Sequence, residues 1–134
     1  MPVSTYVLTG FLDAGKTTLL QYVLDQQGSR DMRILVLQFE QGETELNHLS
    51  SSVVLRTFSP KRAEAEPEAL ASEIAELFAP GEEPFQEVWI EWNGMLPYAL
   101  LETIFLQPAL KKALRIDRVI HLADAKKLDV LLTG

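Results

Sequence analysis

Apolar residues in this chain come in short runs, and successive runs switch between the spacing of a buried strand and that of a helix face. Val3 to Thr9 is apolar and β-branched and stops at Gly10, which predicts a buried strand. From Lys16 the period changes. Leu19, Leu20, Val23 and Leu24 share one helical face, and Gly28 supplies a C-terminal stop. Arg33 to Phe39 predicts a second buried strand and Val53 to Thr57 a brief third one near a sheet edge, with the polar, turn-rich stretch from Glu40 to Ser52 between them. Pro60 to Pro67 reads as a charged connector. Glu68 to Phe78 reads as an amphipathic helix with Leu70, Ile74, Leu77 and Phe78 on its apolar face. After the break at Pro80 to Pro84, Val88 to Glu91 predicts another strand. Asn93-Gly94 turns into a helix carrying Leu96, Leu100, Leu101, Ile104 and Phe105. A shorter helical turn through Leu110 and Leu114, a last strand from Arg118 to Ala123 and the start of a helix at Lys126 to Leu132 complete the pattern.

Strands alternating with helices imply an α/β fold, a mainly parallel sheet with helices on both faces. At 134 residues the chain has room for one such domain, residues 1–134. Composition changes this picture little. Hydrophobic residues make up 47% and charged residues 23%, as in a globular protein, and no apolar run approaches the roughly 18–20 residues of a membrane span. Charge matters more. A net charge of −7 argues against a nucleic-acid partner, which would need a basic patch. With no cysteine, disulfides and cysteine-ligated zinc are excluded, and a cytoplasmic location is the expectation.

The candidate chemistry lies between the first strand and the first helix, where Gly10-Phe-Leu-Asp-Ala-Gly15-Lys16-Thr17 has the P-loop spacing. Glycines at its ends let the backbone turn tightly and present successive N–H groups to phosphate oxygens. The helix starting near Lys16 aims the positive end of its dipole at the same place. In that pattern Lys16 reaches the β- and γ-phosphates, and the Thr17 hydroxyl takes a position on Mg²⁺. A strand before the loop and an amphipathic helix after it are the context this mechanism requires.

The wider string Leu8-Thr-Gly-Phe-Leu-Asp-Ala-Gly-Lys-Thr-Thr-Leu-Leu20 resembles the CobW family of P-loop GTPases, related to the urease- and hydrogenase-accessory GTPases that deliver metals. Asp13 departs from it, standing where the family usually has glycine. The resemblance extends to Glu91-Trp-Asn-Gly94 with Pro97, and to Phe39-Glu40-Gln41-Gly42-Glu43, where Phe39 replaces an asparagine. It implies a P-loop NTPase fold and a site for GTP and Mg²⁺. Gly10, Asp13, Ala14, Gly15, Lys16, Thr17, Thr18 and Gly94 would line the nucleotide. Thr17, Glu40 and Glu91 would face the metal, and Lys16 and Glu91 would carry the catalysis. Taken without the family, Glu91 also reads as a surface glutamate before a turn, and Glu40 as part of an exposed acidic loop.

Other residues temper the resemblance. The family's C-x-C-C segment has no counterpart at Arg56 to Arg62, so tight zinc binding is not expected. His48, near Glu43 and Glu45, reads as an exposed loop histidine, His121 as a satisfied strand histidine and Asp124 as structural. The guanine-reading N/T-K-x-D motif is absent from the sequence, so GTP over ATP follows from the resemblance alone, and an N-terminal portion of a longer, truncated domain is the expectation. The implied activity is slow, Mg-dependent GTP hydrolysis coupled to a metal-receiving protein partner. A nucleotide-binding module without turnover and an ATP-dependent phosphotransferase stay open beside it.

Overall fold

A computed structural model describes residues 2–10, 16–28, 32–39 and 51–122. Among the described residues five strands form one sheet in the order β3-β2-β4-β1-β5, and every pairing among them is parallel. They are β1 (Val3–Gly10), β2 (Ile34–Gln38), β3 (Val53–Thr57), β4 (Glu87–Glu91) and β5 (Leu114–Leu122). The first three strands and β4 lie within a residue or two of their predicted bounds, and β3 is at a sheet edge as its composition implied.

Both faces of the sheet are buried, which is why its strands read as continuous apolar runs rather than alternating ones. Ile34, Val36, Leu8 and Trp89 point to one face, where helix α1 (Lys16–Gly28) packs Leu19, Leu20 and Leu24 against them. Leu35, Leu37, Val7, Val88 and Ile90 point to the other. That second face is covered by α2 (Pro60–Ala65), α3 (Pro67–Ala75), α4 (Tyr98–Phe105) and α5 (Pro108–Ala113), through Ala63, Leu70, Ile74, Leu101, Ile104, Phe105 and Leu110. At about 25 cal/mol per Å² of apolar area, each fully buried leucine or isoleucine stabilises the fold by roughly 1.5–3 kcal/mol.

Three expectations need correction. The charged segment after Pro60 is a helix rather than a connector. Ser59 Oγ accepts the Lys61 N–H at 3.2 Å, Pro60 occupies the first turn where its missing N–H costs nothing, and Ala63 is fully buried. The last strand starts at Leu114 rather than Arg118, so Leu114 belongs to β5 and not to the helical turn before it. The sequence masked this extension because Arg115, Asp117 and Arg118 are charged. Asp117 is the extra residue at a register shift, with Ile116 opposite Thr5 and Arg118 opposite Tyr6. Leu96 also lies outside α4, although it is buried. The Glu68–Phe78 segment behaves as its pattern implied, with a 3₁₀ turn over Glu76–Phe78 closing α3. The helix expected at Lys126 to Leu132 lies outside the described residues.

Chain order across the sheet creates a crevice. From β1 the chain passes through α1 on one face to β2, whereas from β4 it passes through α4 and α5 on the other face to β5, on the far side of β1. Open parallel sheets bind ligands beyond the carboxyl ends of their strands at such a reversal. The carboxyl ends of β1 and β4 meet there.

Candidate nucleotide site

β1 ends at Gly10, which holds φ at +134°, a backbone conformation that side-chain-bearing residues rarely adopt. The strand therefore leaves the sheet at a residue chosen for its backbone, and α1 resumes the described chain at Lys16. Between them, Asp13, Ala14 and Gly15 lie outside the described residues, as do the side chains of Lys16 and Thr17. The backbone of Lys16 and Thr17 forms the first turn of α1, so this thirteen-residue helix opens at the motif's lysine. Thr18 is exposed on that turn. Glu40, Glu43, Glu45, His48 and Asp124 also lie outside the described residues.

β4 runs directly beside β1, in the register Val7 to Ile90 and Leu8 to Glu91. The Trp92 N–H donates to the Leu8 carbonyl at 2.8 Å, extending the pairing past the last strand residue. Glu91 thus sits at the carboxyl end of the strand next to the P-loop strand, two residues short of the level of Gly10. It is 1% exposed, so the reading of a surface glutamate is ruled out. A buried carboxylate requires hydrogen-bond donors, and Gln38 Nε2 supplies one to Glu91 Oε2 at 2.8 Å. Mg²⁺ takes hard oxygen donors, and a carboxylate held at this strand end fits that requirement. Gly94 lies three residues further on, exposed in the turn before α4, where Asn93 Oδ1 accepts the Met95 N–H at 2.8 Å.

Phe39, at the position of the family's asparagine, turns away from this edge. It is fully buried on the α4 face, with ring centroids 5.2 Å from Phe58, 5.0 Å from Trp92 and 6.0 Å from Phe105. On the other side of β1, Thr9 Oγ1 lies 2.9 Å from Nδ1 of the exposed His121 on β5. His121 is therefore a satisfied strand-edge histidine. Among the described residues no group of three or more His, Cys, Asp or Glu could hold a metal ion.

Gln38 was overlooked by sequence reasoning. A lone glutamine at the end of an apolar strand carries no motif, and only the pairing of β2 with β4 places it against Glu91. A cavity of about 440 Å³, lined in part by Val3, Phe78, Phe85 and Lys112, opens at the opposite, amino-terminal end of the sheet. It cannot serve the P-loop.

A parallel sheet whose first strand feeds Gly-x-x-x-x-Gly-Lys-Thr into a helix, with a carboxylate ending the adjacent strand, defines a nucleotide-binding domain of the P-loop class. Residues 4–131 match the family model described as CobW/HypB/UreG, nucleotide-binding domain, and the chain belongs to that family. Among curated proteins it is 30% identical to the zinc chaperone YjiA of Escherichia coli over 96% of this chain and 42% of that protein. It is 28% identical to the zinc-regulated GTPase metalloprotein activator 1 of Schizosaccharomyces pombe, over 98% of this chain and 34% of the relative. A third relative, the zinc chaperone CobW of Pseudomonas aeruginosa, is 30% identical over 93% and 36% of the two chains. The chain spans less than half the length of each of these relatives. No solved structure gives a significant match.

Proposed function

We propose that this domain binds GTP with Mg²⁺ and hydrolyses it slowly, and that its nucleotide state governs delivery of a metal or cofactor to a partner protein. The observation that carries the reading is Glu91, a carboxylate 1% exposed at the end of the strand beside the P-loop strand. Burying a carboxylate costs several kcal/mol unless partners or an ion compensate, and Mg²⁺ at this strand end would supply the ion. Gly10 to Gly15 would cradle the phosphates with backbone N–H groups, aided by Ala14 and Thr18, while Lys16 reaches the β- and γ-oxygens. Thr17, Glu91 and Glu40 would hold Mg²⁺, and Gly94 would meet the γ-phosphate with its N–H. Mg²⁺ bound there neutralises charge developing on the phosphates. Hydrolysis adds water to the γ-phosphorus and breaks its bond to the bridging oxygen, leaving GDP and inorganic phosphate. The relatives named as zinc chaperones support metal delivery as the biological setting, and the one named as a zinc-regulated GTPase metalloprotein activator supports guanine as well.

The test is Glu91→Gln, which keeps shape and removes charge. Turnover should fall by about tenfold or more, with nucleotide affinity in the absence of Mg²⁺ nearly unchanged. Wild-type turnover in the variant would remove Glu91 from the mechanism. A second reading, a module that binds nucleotide without turnover, draws on Phe39. At a position where the family places a polar amide, this chain buries an aromatic ring and offers the site nothing. Absence of phosphate release from the wild-type domain under saturating Mg-GTP would favour that reading.

A further inference from the structure

At the carboxyl edge of the sheet, three adjacent strands end on polar side chains at one level. Gln38 on β2 is in register with Thr57 on β3 and with Glu91 on β4. Their side chains connect. Gln38 Nε2 donates to Glu91 Oε2 at 2.8 Å, and Gln38 Oε1 accepts from Thr57 Oγ1 at 3.4 Å. The orientation of the amide follows from chemistry. An ionised carboxylate only accepts, so the NH₂ end must face Glu91 and the carbonyl end must face the hydroxyl, which can donate. The first bond is short and charge-assisted, and the second is long and correspondingly weak.

We propose that Gln38 is a positioning residue for the magnesium side of the site: it holds the Glu91 carboxylate turned toward the phosphate crevice. This rests on the reading of Glu91 given above. Three features support it beyond the distance. Both strand backbones are fixed beside each other, with the Phe39 N–H donating to the Glu91 carbonyl at 2.9 Å, so the two side chains leave the sheet from a rigid platform. Of the two strands flanking β4, it is β2 that brings a polar side chain to the level of Glu91, since the residue in register on β1 is the apolar Leu8. An amide also suits the task better than a second acid or a base. It donates without adding charge, so it neither competes for the cation as a carboxylate would nor neutralises Glu91 as a lysine would. Thr57 acts one step further out, limiting rotation of the amide.

The experiment measures the Mg²⁺ concentration that half-saturates the Mg-dependent gain in GTP affinity, by titrating a fluorescent GTP analogue across a Mg²⁺ series. The wild type, Gln38→Met, Glu91→Gln and the double variant are compared, with thermal unfolding confirming that each is folded. Methionine keeps the length of glutamine and removes the donor. The expected result is a rise of about tenfold in the half-saturating Mg²⁺ for Gln38→Met, with affinity in EDTA unchanged and no further rise when the change is made on top of Glu91→Gln. A normal Mg²⁺ response in Gln38→Met while Glu91→Gln is impaired would overturn the positioning role alone. Equal loss of affinity with and without Mg²⁺ would overturn it too, by showing a general structural defect. A normal response in Glu91→Gln would overturn the magnesium reading of Glu91 and the role of Gln38 with it.

Discussion

Phe39 and Glu91 lie within one hydrogen bond of each other and carry opposite lessons about single residues. Phe39 breaks the family's pattern, and its ring is absorbed by Phe58, Trp92 and Phe105 beneath α4. Phe39→Asn, which restores the family's residue type, should therefore destabilise the domain. It removes most of a buried aromatic, about 3–5 kcal/mol by analogy with Phe-to-Ala changes, and leaves an amide among rings without assured partners. Urea unfolding of the two proteins checks this, and a loss under about 1 kcal/mol would mean that the aromatic cluster is not part of the core. Glu91 keeps the family's residue, and its buried place at a strand end was legible in sequence only through what surrounds it. An apolar run ending in Glu-x-x-Gly says that a strand stops there, but the identity of the neighbouring strand is set by sheet order. Gln38 was not legible at all, because its contact to Glu91 spans 53 positions of sequence.

Elements were easier to read where burial imposes a period. β1, α1, β2, β3 and β4 announced themselves because both sheet faces are covered, so nearly every strand position is apolar. The failures came where a terminus or an edge relaxes that rule. β5 is an edge strand among the described residues, and its exposed Arg115, Asp117, Arg118 and Val119 hid its first half. Arg115 and Asp117 pair with each other across the bulge, which holds the Asp117 carboxyl below its usual range and blunts the edge. α2 was hidden by its brevity and charge. Its start is nonetheless written in Ser59-Pro60, and its outer face is tied to α3 by Arg62, which reaches Glu73 at 2.7 Å and Glu66 at 3.4 Å. Since both carboxylates are exposed and Arg62 is half-buried, these pairs contribute little to stability. The cap should contribute more. Ser59→Ala is expected to cost about 1 kcal/mol, read as a shift in the denaturation midpoint at constant slope. A stability equal to wild type would show that Pro60 and the burial of Ala63 suffice to start the helix.

At the scale of the whole molecule, the parallel sheet brings two sequence-distant features to one crevice: the Gly10 end of β1, with α1 opening at Lys16, and the Glu91 end of β4. A chain with net charge −7 can hold a triphosphate only if positive potential is concentrated locally. Backbone N–H groups at the start of α1 and the Lys16 ammonium are the means the motif provides. Nucleotide should therefore bind through its phosphates at this loop. Calorimetric titration of Mg-GTP into the wild-type domain and into Lys16→Ala tests it most directly, with circular dichroism showing that both are folded. Saturable one-site binding to the wild type is expected. Affinity should be lower by at least about tenfold in the variant, since a charge-assisted contact contributes roughly 1.5–3 kcal/mol. Equal affinity in the two proteins would contradict it.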